Sequence, residues 1–207
     1  MAKLVNWYIF ERQLKEKGLV IFSPLSVRQI FGVSKVAATF LIHRYTKKGF
    51  IKRLKRGIYA LYDTSVPDIY LANELYEPSY VSLEFALSFH RVIPETVYEV
   101  TSVTTKPTRQ FKALGKIFSY HRIKKEAFTG YTVYRQRDIS SLIAEPEKAF
   151  VDLTYLRLRR NKKLLSRFDK GKINPEKALH YAKLFNNEKL IGVIKTSLRS
   201  DDYSRRY

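Results

Sequence analysis

A chain of 207 residues has the length for one large domain or two small ones, with enough material to bury a core. Apolar residues at 45% and aromatics at 14% exclude a disordered chain, and the absence of cysteine excludes disulfides and thiolate metal sites. The 39 Lys and Arg against 19 Asp and Glu leave a formal charge of +20, for which nucleic acid is the commonest partner because phosphates and released counterions reward it; a merely solvated basic surface is the competing reading. No stretch approaches the roughly 18 uninterrupted apolar residues of a membrane span. Met1-Ala2-Lys3-Leu4-Val5-Asn6 also lacks the apolar core and cleavage site of a signal peptide, so a cytoplasmic address and no membrane partner are expected.

The charge is unevenly spread. Residues 1–62 hold 13 Lys and Arg and 2 acids, whereas residues 63–207 hold 26 and 17. That first segment also has its own pattern. Leu4, Val5, Tyr8, Ile9 and Leu14 recur near helical spacing over 3–16, and Gly18 ends the run. Val20-Ile21-Phe22 is a short apolar run of strand character before the break at Ser23-Pro24. Ser26 then caps a helix to Phe31, with Val27 and Ile30 inward. Gly32-Val33-Ser34 forms a tight turn, Ser34 caps a third helix over 35–48, and Gly49 ends it. In that third helix Val36, Ala37, Phe40, Leu41 and Tyr45 are assigned to the buried face, leaving Lys35, Thr39, His43, Thr46 and Lys47 elsewhere and Arg44 between faces. Two short strands, Ile51–Leu54 and Ile58–Leu61, follow around the turn Lys55-Arg56-Gly57.

This order is that of a winged helix-turn-helix, whose second helix enters the major groove of double-stranded DNA and whose hairpin is the wing. The residues expected to touch DNA are Ser34, Lys35, Thr39, His43, Arg44 and Lys47 on the helix, with Lys52, Lys55 and Arg56 on the hairpin. Ser34, Lys35, Thr39 and His43 include no Arg, Asn or Gln, the usual bidentate base readers. Modest direct readout and many phosphate contacts are therefore expected.

Beyond residue 62 the pattern changes, which divides the chain into a DNA-binding domain at 1–62 and a second domain at 63–207. A short helix begins near Pro67, Pro78-Ser79 interrupts, and Ser82 opens a helix ending near His90. Alternation over 97–103 marks a strand, broken at Lys106–Arg109. Further strands are predicted at 117–123, 131–134 and 139–143. Pro146 starts a strong helix with Ala149, Phe150, Leu153 and Leu156 inward, and helices at about 175–185 and 187–198 follow. The fold class is α+β: an N-terminal winged helix-turn-helix, then a mixed domain with a small antiparallel sheet and C-terminal helices. The last residues, 200–207, are expected to fray.

Signs of chemistry are few. Eight scattered glycines form no phosphate loop, and His43, His90, His121 and His180 lack metal spacing, so no cofactor and no metal are expected. Glu145, Glu147, Lys148 and Asp152 could be read as an acid–base or nuclease-like metal cluster. Acids in a first helical turn and an i,i+4 Lys–Asp pair account for them without catalysis, and no enzyme is expected. Ser82 and Ser88 have no base partner nearby in sequence. Two basic stretches, with Lys106, Arg109 and Lys112 in one and Arg159, Arg160, Lys162 and Lys163 in the other, could form a positive face for flanking DNA or an acidic or RNA-bound partner.

Four segments resemble the AbiEi-type antitoxins of abortive-infection, type IV toxin–antitoxin pairs, in family order. They are Lys48–Arg53 with Arg56–Tyr59, Pro78–Leu87, Val103–Lys106 with Arg109 and Phe111, and Ile143–Asp152. Phe85 stands where the family often has Ser, His90-Arg91 stands where His-Gly is common, and the match weakens after residue 160. The resemblance implies a cytoplasmic autorepressor that binds inverted repeats in its own operator, an arrangement that would suit a dimer. It also implies a second domain that counters a nucleotidyltransferase-like toxin, directly or indirectly. A stand-alone winged-helix regulator with a ligand-sensing or dimerising second domain is the alternative.

Overall fold

The computed structural model describes residues 5–136 and 138–199; the expectations for Lys3, Leu4 and the 200–207 tail lie outside them. Among the described residues the fold is mixed α+β, with eight α-helices and two sheets. Contacts divide the chain into a first unit, Met1–Leu71 with Ala113–Gly115, and a second, Ala72–Lys112 with Lys116–Tyr207. No single described helix is long and apolar enough to cross a membrane.

In the first unit α1 (Trp7–Glu16) is capped by Asn6, whose side chain accepts from the Ile9 amide. The second helix, α2 (Pro24–Phe31), starts earlier than the sequence suggests. Ser23, not Ser26, is its N-cap, Pro24 occupies the first turn, and Ser26 closes a capping box back onto Ser23. The Val20–Phe22 run is not a strand but one bridge, Phe22 exchanging backbone hydrogen bonds with Tyr59 at 2.8 and 2.9 Å. Gly32, at φ +62°, ends α2, and Ser34 caps α3 (Lys35–Lys47) by accepting from the Ala37 amide. The axis turns by 111° between the two helices. Strands β1 (Ile51–Lys55) and β2 (Ile58–Leu61) pair antiparallel, with a register shift between Arg53 and Lys55 and Gly57 at φ +83° in the turn.

These pieces close on one core. Phe10 stacks with Phe31 and contacts Phe22 and Tyr45, with Leu14, Val27, Leu41, Ile42, Ile51 and Leu61 around them. The α3 residues that enter this core are Ala38, Leu41, Ile42 and Tyr45. Val36 and Phe40, assigned inward from the sequence, are 64% and 68% exposed.

The second unit contains a six-stranded sheet with β3 (Ser79–Val81), β4 (Val100–Thr104), β5 (Arg109–Ala113), β6 (Lys116–Arg122), β7 (Tyr131–Gln136) and β8 (Ile139–Ala144). Its order is β5-β6-β4-β3-β8-β7. β3/β4 and β7/β8 are antiparallel, whereas β4/β6 and β3/β8 are parallel. The sheet is therefore larger than expected and mixed rather than antiparallel. Pro78-Ser79 does separate two helices, and it also leads into an unexpected strand, β3, whose three residues are all buried. β4 starts at Val100, and its five residues are buried on both faces, so the apparent alternation from Val97 is not a half-exposed strand. The expected break ends in β5, which begins at Arg109.

In helix α4 (Asp68–Leu75) the Asn73 side chain clasps the backbone of Leu142 in β8 by donating to its carbonyl and accepting from its amide. Helices α5 (Leu83–Phe89), α6 (Pro146–Arg159), α7 (Pro175–Lys183) and α8 (Glu188–Leu198) complete this unit. α6 is buried continuously from Glu147 to Leu156, beyond the single stripe predicted.

Candidate nucleic-acid interface

The turn between α2 and α3 sets the presentation of α3. With Ala38, Leu41, Ile42 and Tyr45 in the core, the opposite side shows Lys35, Val36, Thr39, Phe40, His43 and Lys47 to solvent. Lys35, Val36, Thr39, Phe40 and His43 line one open hollow of about 500 Å³. A smaller hollow of about 170 Å³ joins Thr39 and His43 to Pro24 of α2 and to Arg53 and Tyr59 of the hairpin, so helix and hairpin share one surface.

The predicted contact residues differ in availability. Ser34 holds the helix start, its hydroxyl accepting from the Ala37 amide at 3.2 Å. Thr39 donates its hydroxyl to the Lys35 carbonyl at 2.9 Å. Arg44 lies over the Tyr45 ring and donates to the Val5 carbonyl at 3.4 Å, which draws it towards the start of α1 and away from the hollow. Lys52 is half-buried, donating to the Thr64 carbonyl and lying over Tyr62. Lys55 ends β1 and Arg56, exposed, lies in the hairpin turn.

The charge around this face is one-sided. From Lys17 to Tyr62 there are ten Lys and Arg and no Asp or Glu. The nearby acids lie outside that span and are paired with α1: Glu16 with Arg12, and Glu11 and Asp63 with Lys15 at 2.7 and 2.8 Å. Donating to Asp63 and Glu11 raises the Lys15 pKa, and accepting from Lys15 lowers the Asp63 pKa. The span that forms α2, α3 and the hairpin thus carries basic residues and no acid of its own.

In the second unit part of the two basic stretches meets, because Arg159 shares one hollow with Arg122, Lys124 and Lys125. Lys106 lies over the Tyr76 ring, and Arg109 and Lys112 are exposed on β5 at one edge of the sheet. Arg159, over Tyr155, lines an open hollow of about 430 Å³ with Arg122, Lys124 and Lys125. Arg160 meets His121 Nδ1 at 3.0 Å; burial and that guanidinium lower the His121 pKa. Lys162 and Lys163 are exposed beyond the end of α6, with the Lys163 carbonyl accepting from Arg157.

The carboxylates that the sequence offers as an acid–base or metal cluster are engaged with the fold. Asp152 is wholly buried and accepts from Lys148 Nζ, from Ser82 Oγ at 2.9 Å and from Tyr80 Oη at 3.0 Å. Glu147 accepts the Asn174 amide, and Glu145 pairs with Tyr181 Oη and with Lys177 at 3.0 Å. Tyr80 and Ser82, unmarked by the sequence reading as partners of Asp152, lie 72 and 70 positions away from it, a separation no local pattern reports. Among the described residues no three His, Asp or Glu side chains converge as metal ligands would.

No protein-family model matches the chain, and no curated protein matches it.

Proposed function

We propose that the first unit is a winged helix-turn-helix that binds double-stranded DNA, and that the chain is an antitoxin and autorepressor of its own operon. The observation that carries the DNA reading is the 111° turn from α2 to α3, made by a left-handed Gly32 and followed by a basic hairpin, on a span with no acid. Two helices at about 90–120° joined by a short glycine turn are the geometry by which a second helix enters the major groove. The hairpin then takes the place of a wing, with Arg56 at its tip.

The antitoxin reading rests on the resemblance of the four motifs to AbiEi-type antitoxins. It is supported by the way two of those motifs meet: Tyr80 and Ser82 of Pro78–Leu87 donate to Asp152 of Ile143–Asp152. The motif residues are thus those that tie β3 and α5 to α6, as expected of motifs that mark a shared fold rather than a catalytic centre. The toxin countered would be nucleotidyltransferase-like.

Two measurements test the proposal. The full chain should bind duplex DNA at low salt with an affinity that falls steeply as salt rises. Co-expression with the product of the neighbouring gene should relieve that product's toxicity. A chain without DNA affinity at low salt refutes the first part. DNA binding beside a neighbouring gene that is not toxic leaves a stand-alone regulator.

A further inference from the structure

We propose that Val36 and Phe40 are the residues through which α3 reads sequence, by contacting thymine C5-methyl groups in the major groove; this rests on the DNA-binding reading above. Lys35, Val36, Thr39, Phe40 and His43 occupy the first, second, fifth, sixth and ninth positions of α3, on the side away from the core. The N-terminal part of such a helix is the part that reaches base edges. Yet the polar groups here are poorly suited to reading them. The hollow has no Arg, Asn or Gln, Arg44 is drawn off to Val5, and the Thr39 hydroxyl proton is committed to the Lys35 carbonyl.

What the face offers instead is apolar surface. Val36 and Phe40 are 64% and 68% exposed and line the same 500 Å³ hollow, within a span of ten Lys and Arg and no acid. A partner must therefore be strongly anionic overall and apolar locally. Duplex DNA meets both demands at thymine, whose C5-methyl is the apolar group on the major-groove edge and is met in complexes by Phe and other apolar side chains. A second copy of the chain is a poor occupant, because it would bring the same acid-free basic face against this one.

The test uses the full-length chain and duplexes selected by it from a random pool. Each selected duplex is compared with one in which deoxyuridine replaces thymine, deleting the methyl but leaving pairing and hydrogen-bonding groups unchanged. Thymines should recur at set positions. Replacement should weaken binding about fourfold for each contacted methyl, the worth of burying one methylene-sized group. Val36→Ser and Phe40→Ser should abolish that difference while keeping salt-dependent binding and the melting temperature. Equal affinity of the unaltered chain for thymine and uracil duplexes overturns the inference while the DNA reading stands. So does a concentration-dependent dimer that Phe40→Ser dissolves without affecting thymine preference. Absence of any binding to the pool overturns the DNA reading itself, and the inference with it.

Discussion

Asp152 and Lys148 are each 0% exposed, and their pairing is bought with desolvation. Burial pushes the Asp152 carboxyl up and the Lys148 ammonium down from their ordinary values, and each partner opposes the other's shift. Removing Asp152 strands the Lys148 ammonium between the Tyr80 and Phe185 rings, and removing Lys148 leaves a buried carboxylate with two neutral hydroxyl donors and no counter-charge. Asp152→Ala or Lys148→Ala should therefore cost about 3–5 kcal/mol in denaturant unfolding. The double variant Lys148→Met/Asp152→Leu should recover part of this, but not all, because Tyr80 and Ser82 keep hydroxyls without their acceptor. Single variants within 1 kcal/mol of the parent, on the roughly 1 kcal/mol scale of ordinary substitutions, would remove the pair's structural role. A second polar cluster sets a pH window. Burial opposes ionisation of Glu145, but hydrogen bonds from Tyr181 and Lys177 outweigh it and hold its carboxyl below the usual range. Hydrogen bonding to Glu145 raises Lys177, and burial followed by the same carboxylate raises Tyr181. A depressed acid contributes stability that is full above its unfolded pKa and lost as pH falls through the folded one. The raised Lys and Tyr contribute stability lost as pH rises through theirs. The contact should thus be intact between about pH 4.3 and 10. Glu145→Gln should flatten the acid side of a melting temperature–pH profile, and an unchanged acid limb would count against this account.

Single helices were legible where a cap announces them. Ser34, Pro146 and Asn174-Pro175 stand at the starts of α3, α6 and α7, whereas Asn187, whose side chain accepts from the Leu190 amide at the start of α8, is a cap that only the structure picks out. Ser34→Ala should cost about 0.5–2 kcal/mol through the lost cap. Gly32→Ala should cost about 1–2 kcal/mol by a different route, since a Cβ there meets no atom within 4 Å and only the left-handed backbone resists it. Substituting Asn at position 32, which tolerates that backbone, should recover much of the loss; if it does not, the conformational cause is wrong. Faces were less legible than elements. α3 carries Val36, Ala37, Ala38, Phe40, Leu41, Ile42 and Tyr45, an apolar set too wide for one stripe. Its weak periodicity cannot say which part packs. That is decided by Phe10, Val27 and Tyr45 meeting in the core, which leaves Val36 and Phe40 outside.

Charge acts at the scale of the whole chain. Half of the +20 excess lies where acids are missing, between Lys17 and Tyr62, and Glu11, Glu16 and Asp63 on either side are paired with α1. Long-range attraction of this kind should appear as a salt-dependent affinity in which Lys55→Ala and Arg56→Ala each lower the slope of log affinity against log salt by about one unit, if each neutralises one phosphate. An unchanged slope in both would place the hairpin off the DNA. By itself the sequence determined the α+β class, the three N-terminal helices with their basic hairpin, the long α6 and the Lys148–Asp152 spacing, because these depend on caps, turns and neighbours a few residues apart. Only the tertiary structure decided the six-stranded mixed order, the strand at Ser79–Val81, the donors to Asp152 and the exposed side of α3. Each of those is settled by partners tens of residues away, and burial against them, rather than local pattern, selects the outcome.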